Sequence, residues 1–158
     1  MTPFALQNPV FAAYAVAAAL MVLEIMGQGW MTVVLMLRRD AGLASPEDLR
    51  PGPINRNPRP EQLAPDPVVE RSRRMHRNDL ENIPAFLAAG LIYVAVEPPV
   101  LLAQVLFYGF AAARLLHTLA DATARSREPR ATLNTVGSRI VIAMALHILL
   151  LALTGGPA

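Results

Sequence analysis

Apolar residues in this chain come in long blocks separated by short polar ones, and the lengths of those blocks predict the fold. Four apolar stretches cover residues 10–37, 83–96, 100–120 and 131–153. A hydrocarbon core about 30 Å thick needs roughly 20 residues of helix to cross it, and the first, third and fourth stretches reach that length. The second has only 14 residues. To span, it must extend back to residue 77, which draws Asn78, Asp79, Glu81 and Asn82 to membrane depth. Residues 68–82 contain neither proline nor glycine, so the helix is expected to continue beyond the membrane. Polar groups at that depth must face protein or water rather than lipid. The pattern therefore predicts an all-α integral membrane four-helix bundle. It forms a single domain over residues 1–158, with spans at about 10–37, 77–96, 100–120 and 131–153.

The connections carry their own signals. Residues 39–67 hold seven of the fourteen prolines and almost no apolar periodicity, which reads as a loop and not as a domain. Val96-Glu97-Pro98-Pro99 is a tight turn, and residues 124–130 join the last two spans. Arginines crowd the first and third connections and are absent from the second. The positive-inside rule then puts those two loops in the cytoplasm and both termini outside. The first apolar segment has no basic flank before it and no small-residue cleavage site, so it is expected to be a retained helix.

Composition narrows the function. Of the 158 residues 54% are hydrophobic and 16% charged, with a mean hydropathy of +0.37. There is no cysteine, hence no disulfide framework, thiolate metal site or cysteine nucleophile. The three scattered histidines form no HExxH motif and no zinc set, so no metal site is expected. All fourteen cations are arginine, nine of them between Arg38 and Arg77. A pI near 9.7 hints at nucleic acid. The net charge, however, is only +2, and the arginines abut hydrophobic spans, so no nucleic-acid partner is expected. The absence of lysine fits a GC-rich bacterial genome and an inner-membrane location.

Two polar constellations stand out. On a helix Arg74, Asn78 and Glu81 are spaced i, i+4, i+7 and share a face, with Arg73 and Arg77 on a neighbouring stripe. Such a face offers forks for carboxylates, an amide, and an acid for an ammonium, which suits a small peptide-like ligand. The simpler account is a juxtamembrane basic helix that sets topology and touches anionic lipid. In the third span Arg114, His117, Thr118 and Asp121 also fall on one face. A purely structural network there would pair Arg114 with Asp121 or with an acid of the second span such as Glu81. Arg130 opens the fourth span at the same level, where a guanidinium would lower the pKa of a bound thiol. Glu24 lies near mid-membrane, and a pairing with Arg139 or His147 would explain it.

The chain resembles the MAPEG family, the membrane-associated proteins of eicosanoid and glutathione metabolism. The match is strongest over Val69-Glu70-Arg71 and the following Arg73, Arg74, His76, Asn78, Asp79, Leu80, Glu81, Asn82 and Ile83, with Phe86, Leu87, Gly90 and Tyr93 after them. Pro46-Glu47-Asp48 and Ala113-Arg114 with His117-Thr118 support it. The resemblance implies a homotrimer that binds glutathione as cosubstrate between protomers, with a hydrophobic or lipid substrate arriving from the bilayer. By motif, Arg38, Arg74, Arg77, Asn78, Glu81 and His117 would bind glutathione. Arg130 would activate the thiol, with Asp48 as its partner. Where relatives commonly have a tyrosine one turn after the histidine, this chain has Asp121. Where prostaglandin-forming members have a serine and a tyrosine, it has Ala131 and Asn134. The expected activity is glutathione transfer to hydrophobic electrophiles, extending to reduction of lipid hydroperoxides and serving detoxification. The alternatives are an eicosanoid-type isomerase and a non-catalytic lipid-binding scaffold.

Overall fold

A computed structural model describes residues 2–155 as four helices joined by short connections, with no strand among them. The first, α1 (Pro9–Arg39), starts where the Asn8 side chain accepts from the Val10 N–H at 2.9 Å and Pro9 fills a position with no backbone donor to lose. It ends at Asp40, in the left-handed region at φ 49°. The second helix, α2 (Pro67–Ala95), is capped by Asp66, which accepts from the Val68 and Val69 amides at 2.9 and 3.1 Å. It continues through Pro84, whose missing N–H leaves the Leu80 carbonyl without its helical donor. The third, α3 (Val100–Ala122), follows the predicted turn. The fourth, α4 (Arg127–Thr154), starts four residues before the predicted span. Pro129 does not prevent this, because amides of a first helical turn have no intrahelical partner anyway.

The α1–α2 connection is an ordered strap holding two short 3-10 turns, Pro46–Leu49 and Pro60–Leu63. Its two arms are tied by Gly42 N–H to Ala64 C=O at 3.1 Å and Leu43 N–H to Gln62 C=O at 2.9 Å. The buried Gln62 side chain accepts from Asn55 Nδ2 at 2.8 Å and donates to Asp40 at 2.5 Å. Arg73 clamps the strap to α2 by donating to the Gly42 carbonyl while pairing with Glu70 at 2.5 Å.

Helices α1, α3 and α4 are long and apolar enough to cross a membrane. The charged first half of α2 keeps that helix from the same standing, as its short apolar stretch predicts. The apolar distribution is the reverse of a soluble bundle. Leu23, Met26 and Trp30 of α1 and Leu146, Leu150 and Leu153 of α4 point outward and are exposed, which is stable only where the surroundings are apolar. Inside, an aromatic cluster joins three helices. Phe86 stacks on Phe110 with centroids 4.1 Å apart, Tyr14 meets Phe107 edge-on at 5.5 Å, and the Tyr14 hydroxyl donates to the Leu87 carbonyl at 2.8 Å. Gly90 makes the α1–α2 approach possible, since a Cβ there would lie 2.8 Å from the Tyr14 ring.

The α2 cap responds to pH. Desolvation disfavours the Asp66 carboxylate, but the Val69 amide, Arg39 (paired at 3.0 Å) and the Val68 amide outweigh it and hold its pKa below the ordinary carboxylate range. A depressed folded-state value stabilises above the unfolded value of about 4 and loses that stabilisation as pH falls through the folded value. Hydrogen exchange should therefore show the first turn of α2 better protected in the wild type than in Asp66→Ala at neutral pH. That difference should disappear in acid, and a difference that persists there would contradict the cap.

Candidate functional site

Helix α2 sorts its polar residues onto two faces. Its buried stripe runs Val69, Ser72, Met75, Asp79, Ile83, Phe86 and Gly90, at steps of three or four residues. Ser72 and Asp79 thus face inward. The α1 residues Glu24, Gln28 and Thr32, each four apart and all buried, face them. Thr32 Oγ1 lies 2.7 Å from Ser72 Oγ, and Gln28 Nε2 donates to Asp79 Oδ2 and, at 2.9 Å, to Thr118 Oγ1.

At the centre is Arg114 of α3, fully buried and paired with the equally buried Asp79. Its Nε donates to Asp79 Oδ1 at 2.8 Å, Nη2 to Asn78 Oδ1 at 2.6 Å, and Nη1 to Asn134 Oδ1 of α4 at 3.1 Å. One guanidinium therefore joins α2, α3 and α4. The sequence suggested Asp121 or an acid of the second span such as Glu81; the structure gives a second-span acid, Asp79. Glu81 is two residues on, about 200° further round the helix, and is exposed on the outer face. The expected partner of Glu24 is also corrected. Its Oε1 accepts from Thr118 Oγ1 at 2.6 Å, whereas His147 Nδ1 lies 2.8 Å from the Tyr93 hydroxyl and Arg139 is exposed.

A second cluster closes the other end of the α3–α4 pair. Arg130 Nη1 donates to Asp121 Oδ1 at 2.6 Å, and its Nε donates to the Ser126 carbonyl at 3.2 Å. The second Asp121 oxygen lies 3.6 Å from Nε2 of the buried His117. The Arg130 side chain remains 40% exposed, so part of its fork is open to a ligand. Asp121 thus serves Arg130 and not Arg114.

The remaining expected site residues are not gathered within one chain. Arg74, Arg77 and Glu81 are exposed and make no hydrogen bond or ion pair among the described residues. Asn78, expected on their face, is half-buried and turned toward Arg114. Arg38 is exposed at the end of α1. Asp48 sits in the strap, where its carboxylate accepts from the Ser45 N–H at 3.2 Å. It lines a cavity of about 380 Å³ with Val33, Met36 and Leu37 of α1. Helices α1 and α4 do not touch within the chain, so Arg38 and Asp48 stand on one flank and Arg130 on another.

A bundle with apolar outer faces, a polar seam buried within it and, among the described residues, unpaired charge on the helix with the shortest apolar stretch defines a multi-helix membrane protein. The chain belongs to the MAPEG family, whose family model matches residues 11–150, and it is an integral membrane protein. It is similar to microsomal glutathione S-transferase 1 of Homo sapiens, with 35% identity over 144 residues covering 91% of this chain and 92% of the relative. The Sus scrofa protein of the same name is 34% identical over the same coverage. Prostaglandin E synthase of Homo sapiens is 32% identical over 145 residues, 91% of each chain.

The buried pair makes a direct prediction. Breaking such a pair from one side costs about 3–5 kcal/mol, whereas replacing both partners with apolar groups is often neutral. Asp79→Leu and Arg114→Met should each lower the unfolding midpoint in a denaturing-detergent titration, and the double variant should recover most of the loss. A double variant that falls by the sum of the two single losses would show that the residues are not coupled.

Proposed function

We propose that this protein is a membrane-bound glutathione transferase that conjugates glutathione to hydrophobic electrophiles and uses the same thiolate to reduce lipid hydroperoxides. The observation that carries the reading is the outer face of α2. Counting back from Ala95 at 1.5 Å per residue, Glu81 lies about 21 Å and Arg77 about 27 Å along the helix, within a hydrocarbon core of about 30 Å. Both are exposed and unpaired in the single chain. A charge left facing lipid costs roughly 2.5–3.5 kcal/mol at the bilayer centre, so these groups call for a partner and a ligand.

A second copy of the chain and glutathione together meet that need. The Arg74 and Arg77 forks hold the two carboxylates and Glu81 takes the ammonium. Asn78, through the Nδ2 left free while its Oδ1 accepts from Arg114, and His117 contribute hydrogen bonds. Arg130 holds the sulfur as thiolate. Because Arg38 and Asp48 lie on the α1 flank and Arg130 on the α4 flank, a site using all three is assembled between protomers, in a homotrimer. The apolar electrophile reaches it from the bilayer. The thiol proton leaves to solvent, a sulfur–carbon bond forms, and the electrophile's leaving group departs with its electron pair. The protein supplies proximity and thiolate stabilisation. The arginine-rich loops put this end of the bundle on the cytoplasmic side, with both termini outside, in a bacterial inner membrane.

Similarity to prostaglandin E synthase keeps an isomerase as the second reading. Against it, Asn134 here accepts from Arg114 and so belongs to the structural network, and Ala131 offers no hydroxyl beside Arg130.

Thiolate absorbance of glutathione, recorded with the detergent-solubilised protein, tests the reading. A band should be present at neutral pH and absent in Arg130→Ala. No binding at millimolar glutathione would rule out both enzyme readings and leave a lipid-binding scaffold. Turnover of a halogenated aromatic in preference to a prostaglandin endoperoxide then separates transferase from isomerase.

A further inference from the structure

We infer that Asp121 is a positioning residue: a built-in counter-anion that holds Arg130 and sets how strongly that guanidinium stabilises a bound thiolate. The inference rests on the transferase reading for its consequence and on the geometry alone for its premise. Asp121 is itself buried, on the last turn of α3. Its Oδ1 accepts from Arg130 Nη1 at 2.6 Å, while the Ser126 carbonyl accepts from Nε. What remains for an incoming anion is Nη2, consistent with the 40% exposure of that side chain.

The arrangement has two effects of opposite sign. Holding the guanidinium by a carboxylate from the neighbouring helix fixes a long, rotatable side chain before ligand arrives, so less conformational entropy is lost on binding. The same carboxylate stands within a few ångströms of any sulfur seated on Arg130. An opposite charge at such range lowers the pKa of an anion-forming group and a like charge raises it. Asp121 accepts hydrogen bonds but, ionised, donates none, so it opposes the thiolate where a hydroxyl would support it. The other charged and titratable groups near this corner are His117 and Arg114 on α3, Glu128 beside Arg130 on α4, and Asp79 on α2 behind Arg114. Arg114 is already committed to Asp79. Asp121 and Arg130, in contact at 2.6 Å, are the closest charged pair at this corner, with His117 3.6 Å from the other Asp121 oxygen. The chemical consequence is a thiolate tuned nearer to ambient pH, where the nucleophilicity of an attacking thiol is best matched to its ionised fraction.

Asp121→Asn is the informative variant, because the amide oxygen still accepts from Arg130 Nη1 while the charge is gone. In the full-length trimer the pH midpoint of the thiolate band of bound glutathione should fall by about one unit, a ten-fold gain in thiolate on the acid side, and Asp121→Glu should restore it. A purely structural role predicts an unmoved or raised midpoint, and either result would overturn the inference. Should Asp121→Asn not fold, Asp121→Ser removes the same charge and the same outcomes apply. Phenylglyoxal labelling read out by peptide mass mapping adds a measurement that needs no glutathione. Arg130 should label severalfold faster once the charge is removed, and an equal rate would refute the pairing. A wild-type protein with no thiolate band but faster labelling in the variant would refute the transferase reading and leave the ion pair standing.

Discussion

The structure depends on a single guanidinium placed where no water can reach it. Arg114 is completely enclosed, and leaving its charge unpaired at that depth would cost about 3–5 kcal/mol, a large share of a typical stability margin. Compensation comes from the adjacent Asn78 and Asp79 of α2 and from Asn134 of α4. Satisfying one side chain thereby fixes the rotation of α2 and the depth of α4 relative to α3. In an apolar solvent, where hydrophobic burial does not drive helices together, such polar contacts are among the few forces with directional content. The Glu24–Thr118–Gln28 chain extends the seam to α1.

Fixing α2 in this way determines which of its charges remain outside. With Asp79 and Ser72 turned inward, Arg74, Arg77 and Glu81 are turned outward. The inward structural groups of this polar helix and its outward, exposed charges are therefore separated by about half a turn. At the far end of α3 the same logic recurs on a smaller scale, with Asp121 engaged by Arg130 but leaving part of that fork open. Fold and proposed chemistry draw on the same residue types and differ only in which side of the helix they occupy.

Much of this was legible in the sequence. Four helices, the helical extension of α2 and the placing of Arg130 at the level of His117 and Asp121 follow from block lengths and i, i+4 spacing. The partner of Arg114 was harder to read because Glu81 and Asp79 are equally plausible acids until the apolar stripe is laid out. That stripe, Val69 through Met75, Ile83 and Phe86, carries Asp79 and leaves Glu81 off it, so the signal was present in the spacing. Gln28 and Thr32 likewise follow Glu24 at four-residue steps. The start of α4 could not be read, because Pro129 breaks a helix interior yet is harmless in a first turn. Nor does spacing along one chain show that Arg38 and Asp48 lie on a different flank from Arg130, since that depends on which helices touch.

The central claim is that the buried Asp79–Arg114 pair orients α2 so that its outer face receives glutathione between two copies of the chain. An electron cryomicroscopy map of the detergent-solubilised protein with glutathione tests it most directly. The account predicts a trimer with the tripeptide against Arg74, Arg77 and Glu81, its sulfur at Arg130, and the Asp79–Arg114 pair intact. Glutathione absent from that face, or bound within a single protomer with Arg114 turned toward it, would contradict the account.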